Sequence, residues 1–521
     1  MIYISAPKQF LTTFLLSIAC LFLSVSVPAQ NGIPEDFDNW VNTGMAEWKI
    51  PGMAIGVVKD GEVIFSKGFG EKSLGSNKAV NEHTVFGIAS VSKNMTAAAL
   101  AILVDEGKLN WDDKVTDHIP WFELSDPWVT SQVTVRDLLI HRVGVGRMLG
   151  NRLQFMTESS RDDVIRQMRY MDFEAPFRYK SVYSNVMYSV AGQLIEYIEG
   201  VSWDEFLINR LFKPLGMNNT TTSITQLDAN TNKATPHQEI EGKTTPIQWR
   251  NWDNAGPAGG VNSTVVDLNK WMIMQLSQPG VYNNKRLISE NQMREMHRPQ
   301  IAYQPADPYA AQSSYGLGWQ ITDYKGERII SHGGATDGFN TFAFLVPNQN
   351  LGIVVVTNTF NYFGNAVFYK LLDSFLGTEE RNWQEHYFSM YQNAYNRVSQ
   401  IRESIHNSRE KNTQPKHVLD KYTGTYTDLA YGKVEVFKEN NQLKVKFWDT
   451  DDLTATLEHW HHDRFRAVWN NPAQREEFSW FTMDVNGNVE NFHFEFCLRP
   501  MLLQVGAYPS NYTRVVEFRR E

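Results

Sequence analysis

Residues 89–107 constrain the fold more than any other stretch. Their middle, Thr96-Ala97-Ala98-Ala99-Leu100-Ala101-Ile102-Leu103, is apolar on nearly every face. A helix that is apolar all round belongs inside a large domain, not on a surface. Gly107 supplies the stop expected at its C-terminal end. The chain is long enough to build that interior: it has 521 residues, and at roughly 100–200 residues per domain this predicts two to four domains. Hydrophobic residues make up 42% and charged residues 21%, which are ordinary globular proportions and exclude a disordered or collagen-like chain. Lys+Arg is 49 against Asp+Glu 58, a formal charge of −9, and no basic run stands out. No nucleic-acid partner is expected, because such a partner needs a positive footprint against phosphate.

Residues 1–29 read as a secretory signal. Lys8 is their only charged side chain, an apolar run with scattered Ser and Thr follows, and Val27-Pro28-Ala29 places small residues where a signal peptidase cuts. The competing readings are an uncleaved anchor, for which the run is barely long enough, and a lipoprotein at Cys20, which the apolar run continues past. Cleavage leaves a periplasmic or secreted protein with no stable membrane anchor. It also leaves Cys497 as the only cysteine, so the mature chain has no internal disulfide and rests on its core. Cys497, in Phe-His-Phe-Glu-Phe-Cys, reads as a buried strand residue.

No repeat of 20–50 residues is visible, which argues against a solenoid or propeller. A polar helix is expected near 36–48, then strands at 53–59 and 63–67 joined by the turn signal Asp60-Gly61. Helical patterns dominate 110–310, with helices at 186–198 and 263–276. Strand character returns at 317–322, 328–331, 341–346 and 352–356, followed by a helix over 361–376. Strands therefore open and close the first unit with helices between, the order of an α+β domain whose sheet pairs distant segments. Composition shifts near 378. Residues 379–416 read as a charged helical linker without an obvious core, and 417–521 as a separate all-β unit, a barrel or half-barrel, with strands at 434–438, 443–447, 454–460, 465–469, 477–483 and 492–496.

Three separated clusters carry chemistry. Ser90 and Lys93, in Ala89-Ser90-Val91-Ser92-Lys93, are three residues apart at the start of the apolar helix, so they share one face. A serine hydroxyl needs a base to become a nucleophile, and a lysine becomes that base when desolvation or neighbouring charge lowers its pKa. Tyr183-Ser184-Asn185 precedes the next long helix: a tyrosine near a lysine can act as a general base, and an asparagine can hold a substrate amide. Ser331-His332-Gly333-Gly334-Ala335 ends a strand whose edge can lend an N–H to an oxyanion hole completed by the N–H of Ser90. Each cluster alone has a structural explanation: a capping serine with a surface lysine, a capping Ser/Asn pair beside a half-buried tyrosine, and a glycine-rich turn.

Together, Ser-x-x-Lys, Tyr-x-Asn about 90 residues on, and His-x-Gly about 150 further resemble the motif set of the serine β-lactamase and penicillin-binding-protein superfamily. The segments Thr134–His141, Ala258–Ser263, Tyr315–Trp319 and His332–Phe339 are similar to its class C-like branch, which also holds esterases and D-peptidases. The resemblance covers roughly residues 33–376. It implies a β-lactamase-like antiparallel sheet flanked by helices, with a helical subdomain, over 30–378. It further implies Ser90 as the acylated nucleophile, Lys93 as its activator, and Tyr183 as the proton shuttle to the leaving group and later the activator of water. Asn185 would bind the substrate amide, the N–H groups of Ser90 and Ala335 would form the oxyanion hole beside Gly334, and His332 would replace the lysine of the β-lactamase third motif. Neither cofactor nor metal is implied.

The third motif departs from the Lys-Thr-Gly of true β-lactamases. Histidine is mostly neutral above a pKa of ~6.5 and glycine has no hydroxyl, so carboxylate recognition should weaken. Ester, amide or D-amino-acid peptide substrates are therefore expected, with weak or no β-lactam hydrolysis. The substrate is a small molecule or short peptide, with cell-wall fragments as one source. A true β-lactamase or D-Ala-D-Ala carboxypeptidase, and a silent cell-wall-binding or scaffold protein, are the alternatives. An α/β-hydrolase would need Gly-x-Ser-x-Gly, which is absent at Ser90. The C-terminal unit resembles a small lipocalin-like domain appended to some of these hydrolases, where it would cover the cleft or mediate association. His459, His461 and His462 lack a second ligand pair at metal spacing. Trp249 and Trp252 fall where the family borders its cleft, where they would shape substrate choice; core packing accounts for either equally well.

Overall fold

The computed structural model describes residues 32–146, 153–154, 159–276, 279–303, 310–379, 381–447, 453–474, 476–497 and 513–521. The leader read at 1–29 lies outside them, and so does the description of the Cys497 side chain. Helix α1 (Phe37–Glu47) precedes the hairpin of β1 (Gly52–Lys59) and β2 (Glu62–Gly70). Asp60 and Gly61 take φ of 54° and 85°, the left-handed pair that matches a two-residue turn to the twist of its strands.

The chain then builds α2 (Ser92–Asp105), α3 (Asn185–Glu199), α4 (Val265–Leu276) and α5 (Glu290–His297). It returns to the sheet as β3 (Ile301–Tyr303), β4 (Ser313–Tyr315), β5 (Gln320–Tyr324), β6 (Glu327–Thr336), β7 (Phe339–Val346) and β8 (Leu351–Thr357), and closes with α6 (Phe363–Leu376). The eight strands run β2-β1-β8-β7-β6-β5-β4-β3, antiparallel throughout. The first strands thus close on the last, Met53 opposite Thr357.

Side chains alternate across a strand, and both faces of this sheet are covered. Met53, Ile55 and Val57 pack with Val41 of α1 and Val367 of α6, while Ala54 and Val58 pack with α2 and α4. Strands β7 and β8 are therefore buried at every residue. Helix α2 occupies the interior that its sequence demands, buried from Ser92 through Leu103. Each large apolar side chain there contributes about 1.5–3 kcal/mol.

Two stretches differ from the sequence reading. Strand β6 continues five residues past Ser331, so Gly333 and Gly334 lie in a strand and the turn is Asp337-Gly338, where Gly338 takes φ +71°. The stretch read as a linker without a core forms α7 (Trp383–Asn407), and its first turns are core. Trp383 and Tyr387 are buried, Trp383 stacks on Tyr369, and its Nε1 donates to Asp373 Oδ2 at 2.7 Å. Aromatics at 383, 387, 391 and 395 share one face at the helical spacing of four.

The C-terminal unit is a closed eight-stranded barrel: β9 (Gly424–Asp428), β10 (Gly432–Glu439), β11 (Gln442–Phe447), β12 (Thr454–His461), β13 (Arg464–Trp469), β14 (Glu477–Met483), β15 (Val489–Cys497) and β16 (Thr513–Arg520). Sequence reasoning found six of these strands and missed β9 and β16. Tyr422, Tyr426, Phe447, Phe481, Phe492 and Phe518 are all buried and meet ring to ring. Side chains therefore fill the centre of the barrel. Helix α7 reaches the barrel through Arg402 and His406, which bond Glu476 Oε1 at 2.6 and 2.9 Å, and Arg409 beyond its end donates to Trp460 O.

Candidate active site

Ser90 stands in a short 3₁₀ turn, Ala89–Val91, that leads into α2. Ala89 takes φ +48°, a left-handed conformation that an L-residue adopts only at a cost of about 1–3 kcal/mol and that concentrates at functional sites. Its strain sets Ser90 at the mouth of the buried helix, partly exposed, while Lys93 one turn on is wholly buried.

Lys93 Nζ lies 3.1 Å from Ser90 Oγ, 2.7 Å from Asn185 Oδ1 and 2.7 Å from Ala258 O. Lys93 Nζ thus sits within hydrogen-bond reach of two carbonyl acceptors and of the hydroxyl of Ser90. Ala258 is held in place by further ties to α2: Thr96 Oγ1 donates to Pro257 O at 2.8 Å, and the Val261 N–H donates to Ser92 Oγ at 3.1 Å.

The second cluster converges on the same lysine. Ser184 occupies the N-cap of α3 without a side-chain capping bond, and Asn185 turns its amide oxygen to Lys93. The rings of Tyr183 and Tyr188 lie 4.8 and 5.4 Å from Lys93 Nζ. Tyr188 donates to Leu139 O at 2.8 Å, and the Tyr315 hydroxyl is hydrogen-bonded with His332 Nε2 at 2.9 Å. Burial pushes both phenols well above their ordinary pKa, so both remain protonated donors at neutral pH. Tyr183 is the phenol of the three with access to solvent.

His141 packs against all three phenol rings, at 4.3 Å from Tyr183, 5.2 Å from Tyr188 and 5.0 Å from Tyr315. Its Nδ1 accepts from the Ser184 N–H at 3.2 Å. The loop that bears it is anchored by Asp137. Burial would raise the Asp137 carboxyl, but donors from Arg178, the Thr134 N–H and Arg142 hold it below the ordinary carboxylate range.

The third cluster reaches Ser90 from the sheet. A Cβ on Gly334 would stand 2.2 Å from Ile88 O and 3.1 Å from Ser90 N, so only glycine lets β6 pass this close. Pairing of β5 to β6 stops at Gln320↔Ser331, which leaves the β6 edge beyond it open on the side away from β7. His332 is buried, its Nε2 lying 2.9 Å from the Tyr315 hydroxyl and its Nδ1 2.7 Å from Gly333 O. The Trp249 ring lies tilted at 4.6 Å against Phe339, whose ring also meets Phe86. Trp252 lies beside Arg250, which pairs with Asp337 in the β6–β7 turn.

The three motifs thus lie together around Ser90 and Lys93. The sequence did not single out Ala258 O, His141, Tyr188 or Tyr315 for roles. Tyr188 had a signal, being three residues from Asn185 on one helical face. Among the described residues no group of three or more His, Cys, Asp or Glu could hold a metal, and no helix is long and apolar enough to cross a membrane. A cavity of about 160 Å³ lies elsewhere, between α7 and the β6–β7 turn, and Ser90 does not line it.

Comparison with known proteins agrees with this geometry. The chain is 30% identical to unguisins hydrolase ungD' of Aspergillus campestris, over 83% of each chain. It is 27% identical to protein flp of Staphylococcus aureus, over 63% of this chain and 64% of that one. Among solved structures, the octameric penicillin-binding protein homologue from Pyrococcus abyssi superposes with a TM-score of 0.60 at 23% identity, covering 92% of this chain and 99% of that one, a likeness of fold. Residues 408–505 match a domain of unknown function, DUF3471. Residues 37–371 match the Beta-lactamase family model, and with that match extending over most of the chain and enclosing all three motifs, the chain belongs to the beta-lactamase family of serine hydrolases.

Proposed function

We propose that the protein is a class C-like serine hydrolase that cleaves ester, amide or D-amino-acid peptide bonds through an acyl-enzyme on Ser90, with weak or no β-lactamase activity. Lys93 takes the Ser90 proton as Oγ attacks the carbonyl. The N–H groups of Ser90 and Ala335 hold the oxyanion. Tyr183 passes a proton to the leaving group and later activates the water that releases the acyl group. Asn185 holds the substrate amide, and Gly334 lets the oxyanion edge approach.

The observation that carries this reading is the set of three oxygens around Lys93 Nζ: two are carbonyl acceptors, and the third is the hydroxyl that must lose a proton. A silent binding fold has no need of a buried lysine poised in this way. That a relative is named as a hydrolase supports the same choice. A histidine at 332, held by Tyr315 and Gly333 O, in place of the lysine of the β-lactamase third motif supports uncharged acyl groups. Secretion after cleavage near residue 29 and a lipocalin-like character for the barrel belong to the same proposal.

Intact-protein mass after exposure to a fluorophosphonate, and separately to a penicillin, tests it. One fluorophosphonate adduct, absent from Ser90→Ala, is expected. Cephalosporin turnover as fast as that of the best ester would refute the substrate assignment. Absence of any adduct on folded protein would refute the hydrolase itself.

A further inference from the structure

Asn340 lies outside the three motifs, opposite Ala335 in the β6–β7 register. It is 5% exposed, too buried to touch substrate. Its Nδ2 donates to Gly334 O at 2.7 Å, and its Oδ1 accepts from the Asn361 N–H at 3.1 Å. Asn361 is itself held, its Nδ2 donating to Thr357 Oγ1 and Thr359 O, both at 2.9 Å. The Asn361 N–H can only donate, so the Asn340 oxygen must face it and the Asn340 NH₂ must face Gly334.

Gly334 O and the Ala335 N–H belong to one peptide unit. That unit is planar and trans, so the two point in opposite directions. With Gly334 O turned toward Asn340 on β7, the Ala335 N–H is turned to the opposite side of β6. That is the side on which β5 has stopped pairing at Ser331 and against which Ser90 N approaches Gly334. A donor on the carbonyl also draws electron density through the amide and makes its N–H more acidic.

We infer that Asn340 is a positioning residue for the oxyanion hole: it clamps the Gly334–Ala335 peptide so that the Ala335 N–H faces the developing oxyanion. This rests on the hydrolase reading above. The clamp serves charge that develops in the transition state, so its loss falls on kcat and leaves KM nearly unchanged.

The test compares wild type, Asn340→Leu and Asn340→Asp, with p-nitrophenyl butyrate as substrate between pH 5 and 8. Folding is checked by thermal melting, and Ser90→Ala runs alongside. Leucine keeps the volume and removes the donor, and kcat should fall about 10- to 100-fold with KM within about twofold, somewhat less than the loss of a whole oxyanion donor. The aspartate variant should be as impaired at pH 8, where its carboxylate faces Gly334 O. It should regain activity relative to wild type as the pH falls, because the protonated acid again offers an O–H donor. A merely structural asparagine would not produce that rising ratio.

If the leucine variant does not fold, the aspartate ratio decides alone. A folded leucine variant with wild-type kcat, or a ratio flat across pH, overturns the inference. Turnover retained in Ser90→Ala instead overturns the hydrolase reading.

Discussion

Gly333 and Gly334 are neighbours on one strand, yet they predict opposite outcomes for the same substitution. A methyl group on Gly334 would lie 2.2 Å from Ile88 O, whereas nothing stands within 4 Å of the corresponding position on Gly333. Carbon and carbonyl oxygen approach no closer than about 3.3 Å, so Gly334→Ala forces β6 away from the Ser90 turn by about 1 Å. The Ala335 N–H moves with the strand. A displacement of that size at a reacting centre costs about 100-fold in rate, equivalent to about 2.7 kcal/mol of transition-state stabilisation. Stability should fall by about 1–3 kcal/mol, the usual cost of overpacking. In Gly333→Ala the methyl enters open space and kcat/KM should stay within about threefold. The assay is steady-state hydrolysis of a p-nitrophenyl ester for both variants, with melting curves to confirm the fold. Equal kinetics for the two folded variants would refute the argument that β6 must press against Ser90.

Lys93→Met should abolish ester turnover and fluorophosphonate labelling while the protein stays folded; labelling at the wild-type rate would show that another group activates Ser90. The His297 pKa is lowered to about 3 by burial and the nearby Arg328 charge, and its ring pairs with Gln275 Oε1 at 2.9 Å. The unfolded chain then binds the extra proton between pH 3 and its ordinary 6.5, so stability is full above pH 6.5 and is lost as the pH falls. The loss amounts to about 2 kcal/mol at pH 5 relative to pH 8, and His297→Gln should remove that share, read as a smaller acid shift of the unfolding midpoint than in wild type. Trp383→Ala should cost about 3–5 kcal/mol, because it empties the seam between α6 and α7 and strips a donor from buried Asp373; a hydrolase domain with an unchanged melting point would show that α7 is a mere tether. Asp137→Asn should leave Arg142 and Arg178 without their shared carboxylate. Its destabilisation, about 1–3 kcal/mol for the lost charged hydrogen bonds, should be accompanied by reduced kcat as the loop bearing His141 loosens behind Tyr183.

The legible parts of this protein were those whose physics is local. An all-apolar helix has one destination, Ser90 and Lys93 are one turn apart, and Asp60-Gly61 permits one tight turn, so α2, the Ser90–Lys93 contact and the first hairpin could be read directly. The extension of β6 could not, because two glycines in sequence look like a turn. Only the approach of Ile88 O, from a segment far away in the chain, shows that Gly334 is a strand residue stripped of its side chain. Ala258 O was invisible because a main-chain carbonyl has no residue signature. His141, Tyr183, Tyr188 and Tyr315 meet through three different elements, and no spacing announces such a stack. The stripe at 383, 387, 391 and 395 was present in the sequence, but the polar residues between its members outweighed it in the reading of a linker.

Substrate choice follows from what the site withholds. In the proposed mechanism the nucleophile, its base and the oxyanion donors act on any acyl carbonyl and select nothing. Charge is a weak selector here, because His332 is committed to Tyr315 and to Gly333 O. The barrel cannot select by enclosing a ligand at its centre, which Tyr426, Phe447 and Phe492 fill. Under the proposed function, selection then falls to the open edge of β6 and to half-buried Trp249, whose ring lies tilted against buried Phe339. The edge offers hydrogen bonds to any extended backbone, and half-buried Trp249 offers the exposed part of one aromatic ring. A site so built discriminates by shape and apolar contact at the acyl group. Trp249→Ala should therefore change the ranking of esters by acyl-chain size while leaving the rate on the smallest acetyl ester nearly unchanged. An equal loss on every ester would place Trp249 in the core instead, and would move the search for specificity to other loops around Ser90.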